Sequence, residues 1–224
     1  MSQPPLYRNI ETVTHGRSLI APAGSPAPAG VLMAFHGYAQ SADWMLTMLR
    51  DIPELNHSWH ICSLHALHRF YQPKSGEIVG SWMTSQDREW MIEDNLRYVG
   101  RAMADFKDCI DKPGRHLVFV GFSQGAAMAW RAAARFLVSS RAIIAVGGDI
   151  PPDVHVASFA EWNGNILVAR GKHDRVYSAA RLQNDMEKLE GLENKVELAE
   201  YNGSHELNND FGRVLNRFLE SIEL

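Results

Sequence analysis

Short apolar runs alternate with longer amphipathic stretches along most of this chain. The apolar runs are Val31–Phe35, Trp59–Leu64, Leu117–Val120, Ala142–Val146 and Asn165–Ala169, and Val196–Tyr201 closes the set. Runs of this length, rich in Val, Ile and Leu, predict strands buried in a sheet. Between them lie helical signals. Ser41 is placed to cap a helix through Arg50. Ser85 is placed to cap a long helix to Ile110, in which Ile92, Leu96, Val99, Met103, Phe106 and Ile110 recur at steps of four and three, the spacing of one buried helix face. Further helices are expected at about Gln124–Leu137, Ser178–Leu189 and Leu207–Ile222. Strands alternating with helices imply an α/β fold, a mostly parallel central sheet with helices on both faces.

The ends of the pattern are less regular. Arg8 to Ile20 reads as an N-terminal strand pair. Ala21 to Gly30, rich in Ala, Pro, Gly and Ser, reads as a loop. No internal repeat or composition shift divides the chain, so residues 1–224 are expected to form a single domain. Residues 66–90 are long and aromatic for a plain connection. Phe70 and Trp82 within them, and Val176 farther along, are the expected substrate-binding residues. The competing reading is that these aromatics only pack the segment down.

One turn carries chemistry. Gly121-Phe122-Ser123-Gln124-Gly125 follows the strand Leu117–Val120 and precedes the Ala-rich stretch Ala126–Trp130. Strand, sharp turn and helix with serine at the bend is the setting of a nucleophile elbow in the α/β-hydrolase fold. There the chain order is Ser, acid, His. Two later strands deliver an aspartate at their C-terminal ends: Asp149 after Gly147-Gly148, and Asp174 after Gly171-Lys172-His173. Asp174 is preferred, because it lies on the last strand but one, in Gly171-x-x-Asp174-x-Val176. Asp149 reads as a turn or capping residue before Pro151-Pro152. His205 is the one histidine after Asp174. A serine hydroxyl is a poor nucleophile until a base takes its proton, and an acid partner orients that base. The expected catalytic residues are therefore Ser123, Asp174 and His205. The oxyanion needs two backbone N–H donors. Gln124, next to the nucleophile, is one, and Tyr38, in the loop after the first core strand, is the other. His36 is expected to be structural.

Four motifs together carry a resemblance: Phe35-His36-Gly37, Gly121-Phe122-Ser123-Gln124-Gly125, Gly171-x-x-Asp174-x-Val176 and Gly203-x-His205. This set resembles the phospholipase/carboxylesterase family, which includes the acyl-protein thioesterases, from about Val31 to Leu224. The resemblance implies hydrolysis of carboxylic esters or thioesters without a cofactor, with the same three residues as triad and Tyr38 and Gln124 at the oxyanion. Gly80-Ser81-Trp82 looks like the family's small-residue-plus-Trp element. The chain departs from the family at His36-Gly37-Tyr38-Ala39-Gln40, where members often continue H-G-x-G-D. It also departs at His65–Tyr71, which differs from the thioesterases.

Composition narrows the partners. The formal net charge is −4, and no basic stripe points to nucleic acid. No apolar run approaches a membrane span. Met1-Ser2-Gln3-Pro4-Pro5 lacks the basic and apolar regions of a signal peptide. Cys62 and Cys109 read as free buried thiols, and the expected location is cytoplasmic. His57, His60, His65 and His68 lack the spacing and companion ligands of a metal site, so no metal is expected. The expected function is a serine hydrolase that cleaves carboxylic esters through an acyl-enzyme. Acyl-thioesterase or lysophospholipase activity is the alternative on the same residues. Peptide or lactone hydrolysis is another. A non-catalytic binding protein would be expected to have lost a triad member. The expected partner is a small-molecule ester or thioester, and an oligomer is left open.

Overall fold

The computed structural model describes residues 3–111, 114–192 and 195–223. In chain order the strands are β1 (Arg17–Ala21), β2 (Gly30–Phe35), β3 (Trp59–His65), β4 (His68–Tyr71), β5 (Ile78–Ser81), β6 (His116–Phe122), β7 (Ala142–Val146), β8 (Asn165–Gly171) and β9 (Val196–Tyr201). The helices are α1 (Ala42–Arg50), α2 (Pro53–Ser58), α3 (Arg88–Cys109), α4 (Gln124–Arg135), α5 (Ala179–Lys188) and α6 (Asn209–Glu223). Seven strands form the main sheet in the order β1-β3-β2-β6-β7-β8-β9. Only β1 runs antiparallel, against β3; the other neighbours are parallel. This is the fold the alternating pattern implied.

Strand geometry divides the core into two layers. Successive side chains point to opposite faces. On β2, Met33 and Phe35 face one layer with Trp130 of α4 and Val99 of α3, and Leu32 and Ala34 face the other with Leu49 of α1 and Phe211 of α6. Both faces are thus apolar, which is why the strand sequences show continuous hydrophobic runs. The helix caps follow the chemistry of their residues. Ser41 accepts from the Trp44 N–H at the start of α1, and Ser178 accepts from Arg181 at the start of α5.

Three expectations need correction. The N-terminal strand pair is a single strand, β1; residues 3–16 have no regular structure and are exposed. A strand needs a ladder, and the sheet edge at β3 pairs with Arg17–Ala21 alone. Helix α3 begins at Arg88, after Asp87 in a left-handed conformation (φ 51°), so Ser85 is not its cap. Cys109 is exposed rather than buried. The sequence reading also missed α2, a short helix with Pro53 in its first turn, where the missing N–H costs nothing. Cys62 is buried on β3, and burial pushes its thiol up to about 12.

Part of the 66–90 segment is regular. Strands β4 and β5 form an antiparallel hairpin, with Phe70 opposite Val79 and His68 opposite Ser81. A bridge from Gly80 to Gln40 ties this hairpin to the loop after β2. The bonds are Ala39 N–H to the Gly80 carbonyl at 3.0 Å and Gly80 N–H to the Gln40 carbonyl at 2.8 Å.

Candidate active site

Ser123 sits between β6 and α4 with φ 54° and ψ −119°, a conformation that L residues rarely adopt. Close packing of backbone on backbone holds it there. A Cβ on Gly121 would lie 2.0 Å from the Gly125 carbonyl oxygen, and one on Gly125 would lie 2.1 Å from that of Phe35. The turn can be this tight because both residues are glycine. The Ser123 N–H donates to the Val146 carbonyl at 2.8 Å, which joins the elbow to the end of β7.

Asp174 and His205 come from the loops after β8 and β9. The Asp174 side chain is nearly fully buried. Its Oδ1 accepts the backbone N–H groups of Val176 and Tyr177, each at 2.8 Å. Its Oδ2 lies 2.8 Å from His205 Nδ1, and His205 Nε2 lies 2.9 Å from Ser123 Oγ. With the carboxylate as acceptor, Nδ1 carries the proton and Nε2 faces the serine with a free lone pair. The Phe122 ring lies against the imidazole, with centroids 4.8 Å apart. Gly147, with φ 62°, gives room for it: a Cβ there would press on Asp174 Oδ2 and His205 Nδ1 at 3.3 Å. The structure therefore brings Ser123, His205 and Asp174 together in one hydrogen-bonded line. Asp149 stands apart and pairs with Arg181.

Gln124 opens α4, so its backbone N–H is one of the helix's orphan donors. Its side chain is otherwise engaged. Gln124 Oε1 accepts the Trp82 N–H at 2.9 Å, and Nε2 donates to the Met83 carbonyl at 3.0 Å. Tyr38 lies in the loop after β2, which folds back on itself: the Gly37 N–H donates to Gln40 Oε1 at 2.7 Å, and Gln40 N–H returns to the Gly37 carbonyl at 3.3 Å. The loop lies against the serine, since a Cβ on Gly37 would be 3.2 Å from Ser123 Cβ. His36 is fully buried. Its Nε2 accepts the Ala66 N–H at 3.1 Å, so Nδ1 carries the proton and donates to the Gly37 carbonyl at 2.7 Å. Burial lowers its pKa to about 4, which keeps it neutral. It is structural, as expected.

A groove of about 580 Å³ opens beside the serine, with Ser123, Gln124, Ala127, Ile150, Pro151 and Val176 among its walls. Of the three expected substrate-binding residues, Val176 lies here. Phe70 packs against the Tyr38 ring, centroids 5.8 Å apart. Trp82 is fully buried, its indole N–H donating to the His36 carbonyl at 2.8 Å and its ring edge-on to Phe35. It packs the segment down and offers no surface to a ligand. Sequence reasoning missed the Gln124 side-chain clamp. It also missed the ion pair by which buried Arg131 of α4 holds Asp153 through two bonds of 2.7 Å. No local pattern marks either, because each joins residues distant in the chain.

The sequence profile of the phospholipase/carboxylesterase family matches residues 15–223. The chain belongs to the phospholipase/carboxylesterase family. It shares the α/β-hydrolase fold with solved structures. The esterase PE8 structure superposes with a TM-score of 0.73 at 21% identity, covering 93% of this chain and 100% of that one. Acyl-protein thioesterase 2 of Zea mays gives 0.70 at 16% identity, covering 94% and 100%. A monoacylglycerol lipase of Paleococcus ferrophilus gives 0.64 at 12% identity, covering 93% and 100%. At these identities the likeness speaks for the fold alone. No curated protein matches the chain. Among the described residues, no group of side chains is arranged to hold a metal ion, and no helix is long and apolar enough to cross a membrane.

Proposed function

We propose that this family member is a serine hydrolase of carboxylic esters. The observation that carries the reading is the line Asp174–His205–Ser123, with contacts of 2.8 and 2.9 Å. Ser123 Oγ attacks the acyl carbon while its proton passes to His205 Nε2. Asp174 holds the imidazole in the right tautomer and stabilises the imidazolium. The N–H groups of Tyr38 and Gln124 receive the oxyanion. Collapse of the tetrahedral intermediate expels the alcohol, protonated by His205, and leaves an ester on Ser123. Water, deprotonated by the same imidazole, then releases the acid and restores the serine. Val176 borders the substrate. The free thiols Cys62 and Cys109 fit a reducing compartment, and we place the protein in the cytoplasm.

The test is hydrolysis of p-nitrophenyl esters from C2 to C12, with a matched thioester, by wild type and Ser123→Ala. The expected result is turnover that vanishes in Ser123→Ala with the fold intact. Wild-type rates in Ser123→Ala would overturn the assignment. Faster turnover of the thioester would move the substrate class to acyl thioesters.

A further inference from the structure

The groove beside Ser123 is cationic, although the chain as a whole carries a net charge of −4. Three basic residues reach it: Arg88 from the start of α3, and Arg181 and Lys188 from α5. Its single acidic lining residue is Asp149. Two of the cations are already engaged. Arg181 pairs with Asp149 and also donates to the Val176 carbonyl at 2.9 Å. Lys188 reaches the buried Asp185 carboxylate at 2.7 Å and the Ile150 carbonyl at 3.3 Å. Arg88 differs. Among the described residues it has no ion pair and no side-chain hydrogen bond. Asp153, whose charge it feels, gives both carboxylate oxygens to Arg131. Ala127, Ile150 and Pro151 give the groove an apolar part.

An unpaired guanidinium over a part-apolar groove next to a nucleophile is matched by one kind of substrate. We infer that the ester turned over here carries an anionic group, a carboxylate or a phosphate, which Arg88 binds while the apolar part holds the connecting carbons. Guanidinium suits this role because its fork meets two anionic oxygens at once. The inference rests on the serine-hydrolase reading above and narrows its substrate class.

Two substrate pairs test it, one for each side of the ester. On the alcohol side, 4-acetoxybenzoate and 4-acetoxyphenyl phosphate are compared with neutral methyl 4-acetoxybenzoate. On the acyl side, monoethyl adipate is compared with neutral ethyl hexanoate. The readout is the ratio of kcat/KM for charged over neutral substrate, in wild type, Arg88→Gln and Arg88→Lys. In at least one pair, Arg88→Gln should lower that ratio about tenfold, the worth of one charge-assisted hydrogen bond. Arg88→Lys should recover part of it, and added salt should lower the wild-type ratio. The pair that responds shows which side of the ester carries the anion, and the two aryl anions separate carboxylate from phosphate. If the ratio is the same in all three proteins while Ser123-dependent hydrolysis persists, the inference falls and the hydrolase reading stands. If wild type cleaves none of these esters, nor the p-nitrophenyl series, both fall.

Discussion

The Tyr177 hydroxyl donates to the fully buried carboxylate of Asp185 at 2.9 Å, while the Tyr177 backbone N–H donates to Asp174. One residue thus connects the acid of the proposed triad to a buried anchor on α5. Asp185 also accepts the Ile150 N–H at 3.0 Å, which fixes the groove wall to the same point. Burial and the neighbouring carboxylate raise the Tyr177 pKa far above its ordinary value, so the hydroxyl stays a donor. Tyr177→Phe removes that donor and leaves a buried carboxylate short of a partner. Stability should fall by about 1–3 kcal/mol in urea denaturation, with kcat reduced alongside. An unchanged midpoint would show that the contact contributes nothing.

The Gln124 clamp gives a second prediction. Gln124→Ala keeps the backbone N–H at the oxyanion site but strips the acceptor from the Trp82 N–H. Segment 81–83 should loosen, with a stability loss of about 1–3 kcal/mol. Ser123 should still react with a fluorophosphonate. Loss of labelling in a folded Gln124→Ala protein would mean that the side chain itself serves the nucleophile.

Gly148 packs on the elbow from the β7 side. A Cβ there would stand 2.2 Å from the Ser123 carbonyl oxygen, so Gly148→Ala must displace the serine backbone. A shift of this kind costs on the order of 10²-fold in rate. Near-native kcat/KM in Gly148→Ala would show that the turn can yield without harm.

His36 makes stability depend on pH. In the unfolded chain this histidine takes up a proton near its ordinary 6.5, but in the folded protein only near about 4. Between those values the unfolded state holds the extra proton, so acid favours unfolding. Stability should be full above about pH 7 and fall as the pH drops toward about 4, by roughly 3 kcal/mol from this group. His65 and His68, whose pKa values burial also lowers, act in the same direction. Denaturation midpoints that are flat from pH 7.5 to 4.5 would contradict the prediction. His36→Asn should flatten part of the slope.

What the sequence revealed depended on how local each signal was. The sheet was legible because the inner parallel strands are buried on both faces and write their own apolar runs, from Val31–Phe35 to Asn165–Ala169. Ser123, Asp174 and His205 were legible because strand ends place them, in an order that the fold fixes. The Arg8–Ile20 strand pair failed because alternation does not reveal whether a partner edge exists. Trp82 failed for a related reason. An aromatic in a long segment reads alike whether it meets a ligand or, as here, the backbone of His36. The groove cations lay beyond local reading too, since only the folded chain brings Arg88 of α3 to the same groove as Arg181 and Lys188 of α5.

The bridge between Gly80 and Gln40 bears on how substrate can enter. The β4–β5 hairpin shares two backbone hydrogen bonds with the loop that carries Tyr38. Swinging the hairpin outward would pull on the amide proposed to hold the oxyanion. The hairpin therefore cannot swing away while the Tyr38 loop keeps its place beside Ser123. Traffic to the serine is thereby directed to the groove at Ile150 and Val176, with the hairpin as a fixed abutment.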